Sequence, residues 1–174
     1  DKYSHKVVDS YIENEDLILL GNYSKKSDYG FINDEENLGL FKIKLNLKTG
    51  KKLEEKFLNW TELSSKIEIN KYGEIKKEGF VFVHDLIRLS NGKIIAVCEA
   101  FKGSPVTTNN IYFLEISENF SFNKVFISEK FRNKFPGTAA HSRRIKEFGA
   151  FDYIDFQDLD DDEFLFYFSD NEKN

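Results

Sequence analysis

The chain has 174 residues, 40% of them hydrophobic and 32% charged, with a net charge of −5. This mixture is typical of one globular domain over residues 1–174, and it excludes a disordered tail and the basic footprint of a nucleic-acid-binding protein. The lone cysteine, Cys98, excludes an internal disulfide and a thiolate zinc site. No apolar run approaches the roughly 20 residues that a transmembrane helix needs.

Short apolar runs separated by turn signals predict strands from the start of the chain. The runs Val7 to Ile12 and Leu17 to Tyr23 flank a polar break and predict a hairpin. Leu40 to Leu47 alternates polar and apolar residues, which is the period-two pattern of a half-buried strand, and Lys51 to Leu58 returns after a turn.

The same plan follows further along the chain. Phe80 to Leu89 and Ile94 to Cys98 flank Asn91-Gly92, a dipeptide that favours a tight hairpin turn. Further predicted hairpins are Ile111 to Ile116 with Asn123 to Ser128, and Tyr153 to Phe156 with Phe164 to Phe168.

These hairpins align with one another as internal copies. A constant shift of 70 residues places Asp85 on Asp155 and Leu89 on Leu159. A shift of 77 places Leu17 on Ile94. The copies cover about residues 5–60, 79–130 and 149–174, each full copy holding four antiparallel strands in about 70–77 residues.

Four-stranded antiparallel repeats are typical of β-propeller blades, so we predict an all-β, propeller-like fold. A β-sandwich built from the same strands is the alternative. A closed propeller ring needs at least about four blades, and the predicted copies amount to two and a half. We therefore expect the ring to be completed by the remaining part of the same protein or by a protein partner, with Phe164 to Phe168 pairing with strands outside the 174 residues.

Strand alternation also predicts which apolar residues point inward. The predicted inward set is Leu19, Ile43, Leu45, Leu86, Ile94, Ala96, Val97, Phe113, Phe164 and Phe166.

One set of polar residues could carry acid–base chemistry. His84 lies on a predicted inner strand, Arg88 lies later on that strand and Glu99 ends the next one. An imidazole and a carboxylate that converge at a channel mouth are the parts of a general acid–base site. The competing interpretation is structural, as for the neighbouring Asp85, whose recurrence as Asp155 favours a hydrogen bond to a loop or to another blade. We expect His84 and Asp85 to point to opposite faces of the strand.

Two other polar segments are weaker candidates. His141, Arg143 and Arg144 lie in a predicted loop, where paired arginines could clamp a carboxylate or phosphate. The acidic run Asp158 to Glu163 resembles a calcium loop, but Glu163 stands where an EF-hand needs glycine. We predict no metal and no cofactor.

Enzyme families built on propellers provide a comparison. Sialidase-like enzymes carry an Arg-Ile-Pro motif on an inner strand, and here Phe82 occupies the position of that arginine. The sequence also lacks a Gly-x-Ser-x-Gly elbow and a His-Glu-x-x-His motif. A complete catalytic set is therefore not visible.

The segment from Gly79 to Arg88, continuing through Asn91-Gly92-Lys93-Ile94 to Glu99, resembles an uncharacterised domain family of Bacteroidota. Gly149 to Tyr153 and Trp60 fit the same pattern. The resemblance implies a propeller-like, exported protein of the cell envelope or surface and assigns no activity. We therefore expect a non-enzymatic binding or assembly subunit. The alternative is a sugar-binding protein or glycan-active enzyme.

Overall fold

A computed structural model describes residues 2–25, 37–103, 105–135, 142–147, 149–159 and 163–170. Within these residues the chain is all-β, with one α-helix, α1 (Ser142–Glu147), and one 3₁₀ helix (Trp60–Leu63). The strands are β1 (Tyr3–Glu13), β2 (Asp16–Lys25), β3 (Asn37–Asn46), β4 (Lys52–Asn59), β5 (Glu74–Ile75), β6 (Gly79–Arg88), β7 (Ile94–Gly103), β8 (Val106–Ile116), β9 (Phe122–Ser128), β10 (Asn133–Phe135), β11 (Tyr153–Asp158) and β12 (Phe164–Phe168).

These strands form three antiparallel sheets in chain order. The first sheet is the meander β1-β2-β3-β4. The central sheet has the order β10-β8-β7-β6-β5, and β9 also pairs with β8. The third sheet is the hairpin β11-β12. Each sheet is therefore made of one continuous stretch of chain, and no described strand crosses from one sheet to another.

The tight turns form where the sequence predicts them. Asn14 and Glu15 join β1 to β2 with φ of 49° and 66°, the left-handed pair that matches the twist of a two-residue hairpin. Gly92 has a φ of 80° in the turn between β6 and β7. The predicted Asn-Gly hairpin is thus confirmed.

Three hairpins share an irregularity at corresponding positions. β1 skips Val8 in its pairing with β2, β6 skips His84 in its pairing with β7, and β11 skips Ile154 in its pairing with β12. His84 and Ile154 are 70 residues apart, as the predicted alignment requires. On β1 the shift is 76 rather than 77, because the loop of the central hairpin is one residue longer.

Alternate side chains of the central sheet pack against different neighbours. On β7, Ile94, Ala96 and Cys98 belong to the large core that the central sheet shares with the first sheet. Val97, with Ile95 beside it, belongs instead to the core shared with the third sheet. The central sheet is therefore the middle layer of three.

The predicted inward set agrees with the cores on the central and third sheets, but not on the first sheet. Leu86, Ile94, Ala96 and Val97 are buried, and the other six members are half-buried. On β2 the fully buried residues are Ile18 and Leu20, and Leu19 points to the opposite face, as do Ile43 and Leu45 of β3, which pair with Leu19 and Leu17. Both faces of β2 are apolar, and the central sheet covers only one of them. The sequence pattern could not show which face that is.

Candidate functional site: a buried ionic cluster and an open groove

The structure brings His84 and Glu99 together. Their strands, β6 and β7, are neighbours, and His84 Nε2 lies 3.2 Å from Glu99 Oε2. The side chains are 6% and 0% exposed. A carboxylate oxygen only accepts, so His84 donates through Nε2. The predicted pairing of an imidazole with a carboxylate therefore exists, but both groups are buried.

Arg88 does not join this pair. Its Nη2 atom donates to Glu13 Oε1 of the first sheet, and its guanidinium lies 4.7 Å from the ring centroid of Tyr11. Arg88 thus contacts the first sheet, whereas His84 packs against Tyr153 of the third sheet. The three predicted residues do not form one site.

The bulge at His84 also corrects the expectation that His84 and Asp85 face opposite ways. The His84 ring lies 4.8 Å from the ring of Tyr153, and Asp85 Oδ2 accepts a 2.6 Å hydrogen bond from the Tyr153 hydroxyl. Both side chains therefore contact Tyr153, because an extra residue in a bulge interrupts the alternation of a strand. The bond from Tyr153 gives Asp85 a structural role between two sheets.

Glu99 is the centre of a larger cluster. Its carboxylate accepts the backbone N–H groups of Asp152 and Tyr153 at 3.1–3.2 Å. Lys130 Nζ lies 3.5 Å from Glu99 Oε1, and the Lys130 side chain is fully buried. This carboxylate therefore joins the central sheet to the start of the third sheet.

Asp152 is the second carboxylate of the cluster and is also saturated. Its oxygens accept hydrogen bonds from Thr108 Oγ1 at 2.6 Å, from Ser169 Oγ at 3.2 Å, and from Lys130 Nζ and Asn133 Nδ2. Asp152 is 2% exposed. Buried charges are tolerated when they are paired and fully hydrogen-bonded in this way.

Burial dominates the electrostatics of the neighbouring rings. It lowers the pKa of His84 below the usual 6.5; the hydrogen bond and charge of Glu99 oppose this, Lys146 adds to it and Asp85 counters it. Burial and the hydrogen bond to Asp85 raise the pKa of Tyr153. Burial therefore favours the neutral form of His84.

This geometry fits a structural junction better than a catalytic centre. General acid–base catalysis needs a catalytic atom within about 3 Å of a substrate atom. Here the carboxylates are saturated by the protein and the side chains of His84, Glu99, Lys130 and Asp152 are 0–6% exposed. Among the described residues, no group of three or more His, Cys, Asp or Glu side chains could hold a metal ion.

The sequence contained one signal for this cluster. Glu99 is the only charged residue in the apolar run from Ile94 to Phe101, and a charge in a buried strand requires a partner. Its partners Lys130 and Asp152 were missed because they lie 31 and 53 residues away, beyond any local pattern.

The weaker ligand candidates are only partly described. His141 lies outside the described residues. Arg143 and Arg144 lie in α1, and nothing is described of their side chains. Within the acidic run, residues 160–162 lie outside the described residues. The backbone carbonyl of Glu163 accepts a hydrogen bond from the N–H of Leu159, which joins the ends of β11 and β12.

A second feature is an open groove of about 400 Å³ between the central and third sheets. It is lined by Leu89 of the β6–β7 turn, by Ile95, Phe113, Glu115 and Phe126 of the central sheet, and by Phe164 and Phe166 of the third sheet. Phe126 is 54% exposed there. Among the described residues, the two strands of the third sheet leave β9 and part of β8 uncovered, and the groove lies there.

Over the residues that the structure describes, no helix is long and apolar enough to cross a membrane.

Comparison with known proteins identifies the family of the chain. No curated protein and no solved structure matches the chain. A family model matches residues 1–109, which extend from the first sheet into β8 of the central sheet. The chain therefore belongs to DUF6770, a family of unknown function.

Proposed function

We propose that this protein is a non-enzymatic binding or assembly subunit of a bacterial cell-envelope or surface complex. The observation that carries the proposal is the open apolar groove between the central and third sheets, lined by aromatic rings such as Phe113 and Phe126. Exposed apolar patches on otherwise polar proteins mark contacts with other proteins. The polar cluster around Glu99, by contrast, is already saturated by the chain itself.

The proposed scaffold is an incomplete β-propeller whose blades are the three sheets. Three observations support this: consecutive strands pair as a meander in the first and third sheets and from β5 to β9 of the central sheet, the sheets stack in chain order, and their hairpins share the skipped position. Sandwiches of the immunoglobulin type instead exchange strands through Greek-key crossovers. Completion of the ring falls to the remaining part of the same protein or to a protein partner.

The proposed location, exported to the envelope or surface of a member of the Bacteroidota, rests on the sequence resemblance of Gly79 to Glu99. A fusion of the natural gene to a reporter that is active only after export tests it. Reporter activity confined to the cytosol contradicts it.

A pull-down tests the proposed function. Tagged protein is incubated with detergent-solubilised envelope membranes, bound proteins are identified by mass spectrometry, and each is purified and rebound. We expect one reproducible partner whose binding is lost with Phe126→Lys and kept with Glu68→Lys, an exposed control whose side chain is 71% accessible. Absence of any protein that rebinds in purified form contradicts the function.

A glycan-binding or glycan-active protein is the second candidate, favoured by the 3.2 Å approach of His84 to Glu99. Such a protein must open the buried cluster to admit a sugar. Titration against a glycan array tests this candidate. Binding that is abolished by His84→Gln and left intact by Arg88→Gln supports it, and absence of binding to every glycan excludes it.

A further inference from the structure

We propose that the free edge of β12 and the adjoining groove accept an antiparallel β-strand from a partner protein, with alternate apolar side chains of that strand filling the groove. This inference rests on the proposed binding function and specifies the form of the partner and its place on the fold. Strand addition to an open sheet edge is a general mode of peptide recognition, in which the main chain provides affinity and side-chain pockets provide specificity.

The first argument is the state of the β12 edge. Within the described residues β12 pairs only with β11. Leu159 N donates to Glu163 O at 2.9 Å, which fixes the alternation of hydrogen-bonded pairs along the hairpin. By that alternation the N–H groups of Phe164, Phe166 and Phe168 point to the open edge. Such a row of unpaired groups is a template for another strand.

The central sheet shows how the added strand would lie. Its hairpin closes in the same way, with Leu89 N donating to Lys93 O at 2.9 Å, and the next strand, β8, occupies the edge of β7. There Ala96 pairs with Leu114. Leu114 points toward the first sheet, the sheet that precedes its own. Ala96 corresponds to Phe166 by the shift of 70, so the residue opposite Phe166 should be a large apolar one that points toward the central sheet, the sheet that precedes the third.

The groove provides the matching side-chain sites. Phe113 and Phe126 are paired neighbours on β8 and β9, and the tilted ring of Phe166 packs against Phe113 with ring centroids 4.5 Å apart. The groove is thus a direct continuation of the existing interface between the central and third sheets. A third strand beside β12 would extend that interface over Phe126, the most exposed aromatic ring of the groove.

A second copy of this chain does not fit the same edge. Antiparallel pairing of β12 with its own copy needs a twofold axis perpendicular to the sheet. That axis keeps the Phe166 side of both copies on the same face. The central sheet of the second copy would then occupy the space that β8 and β9 already fill. The occupant is therefore a single strand without a packed sheet beneath it.

A synthetic peptide tests the proposal. The probe carries the β8 sequence Asn109 to Ser117 with lysines added at both ends for solubility, and the control peptide has serine in place of its Tyr112, Leu114 and Ile116. Amide exchange is followed by NMR in the 174-residue chain. We expect slowed exchange at Phe164, Phe166 and Phe168 with the probe only. Leu165 and Tyr167, whose N–H groups face β11, are the internal reference.

Paired variants locate the binding site. Phe126 and Ile127 are adjacent on β9, are 54% and 47% exposed, and point to opposite faces. Phe126→Lys should weaken probe binding by about tenfold or more through loss of apolar burial, and Ile127→Lys should leave it unchanged. The melting temperature of each variant shows that it folds.

Other outcomes overturn the inference. Equal binding by both variants, or equal binding of probe and control peptides, excludes the groove. Protection of the Phe166 amide in the natural protein without any peptide means that its own chain fills the edge. Loss of a concentration-dependent dimer in Phe126→Lys would assign the face to a second copy. If the pull-down partner binds Phe126→Lys as well as wild type, the site is wrong although the binding function stands.

Discussion

The two faces of the central sheet carry similar apolar residues but are buried to different extents. Toward the first sheet, Leu114 and Ile116 are at most 1% exposed and their β9 neighbour Val125 is half-buried. Toward the third sheet, Phe113 is half-buried and its β9 neighbour Phe126 is 54% exposed. Leu114 and Phe113 are adjacent in sequence, so strand alternation alone separates the covered side chain from the open one.

The difference teaches that the neighbouring sheet determines burial here more than the hydrophobic pattern does. Four strands cover one face and two cover the other. On the face with two strands, a charged junction supplements the thin apolar contact: Glu99 and Asp152 bind Lys130 and the backbone where the third sheet begins. The three predictions below test this contrast, from the largest expected effect to the smallest.

The largest effect should come from breaking the charged junction. Glu99→Ala leaves the Lys130 ammonium without one of its two carboxylates and leaves the N–H groups of Asp152 and Tyr153 unpaired in a buried site. Removal of one partner from a buried ion pair costs about 3–5 kcal/mol, so we expect the free energy of unfolding to fall by about that amount in a urea titration.

The matched control is Glu68→Ala. Glu68 also accepts a lysine, Lys76 at 2.7 Å, but its side chain is 71% exposed. Exposed pairs contribute little because water and salt screen them, so no measurable change in stability is expected. Equal losses in the two variants would show that the cluster does not join the sheets.

The second effect compares the two faces directly. Leu114→Ala removes a side chain that is 1% exposed and should cost about 2–4 kcal/mol of unfolding free energy. Phe113→Ala removes a larger side chain that is only half-buried and should cost less, about 1–2 kcal/mol. Urea titrations of both variants measure the difference. A larger loss in Phe113→Ala would mean that something covers the open face in solution.

Sequence reasoning predicted local structure well and long-range structure poorly. The hairpins and the Asn91-Gly92 turn follow from residue preferences over a few positions. Burial on β2 does not, since Ile18, Leu19 and Leu20 are all apolar and only the central sheet distinguishes them. An alternating pattern identifies a face only where the opposite face is polar.

The candidate site shows the same limit. His84 and Glu99 were predicted as a pair because their strands are joined by a short turn, and they do meet at 3.2 Å. Arg88 was placed with them from strand position alone, yet it binds Glu13, which is 75 residues away. The bulge at His84 has no sequence signature such as glycine, so the orientation of its side chain was not predictable.

The smallest effect should be a change in pH dependence at the junction. Burial lowers the pKa of His84 in the folded protein below 6.5, so the unfolded chain binds more protons than the folded one between these two pKa values. The contribution of His84 to the unfolding free energy is therefore fully present above pH 6.5 and is lost as pH falls toward the folded pKa.

His84→Gln removes this contribution, and the unfolding free energy of the variant should fall less steeply below pH 6.5 than that of wild type. His5, whose pKa burial also lowers, titrates in both proteins and cancels in the difference. Urea titrations at several pH values measure the two slopes. Equal slopes would mean that folding does not shift the pKa of His84, so that its protonation neither weakens nor strengthens the junction. A shallower fall in wild type than in His84→Gln would mean that folding raises this pKa and that protonated His84 pairs with Glu99 as an ion.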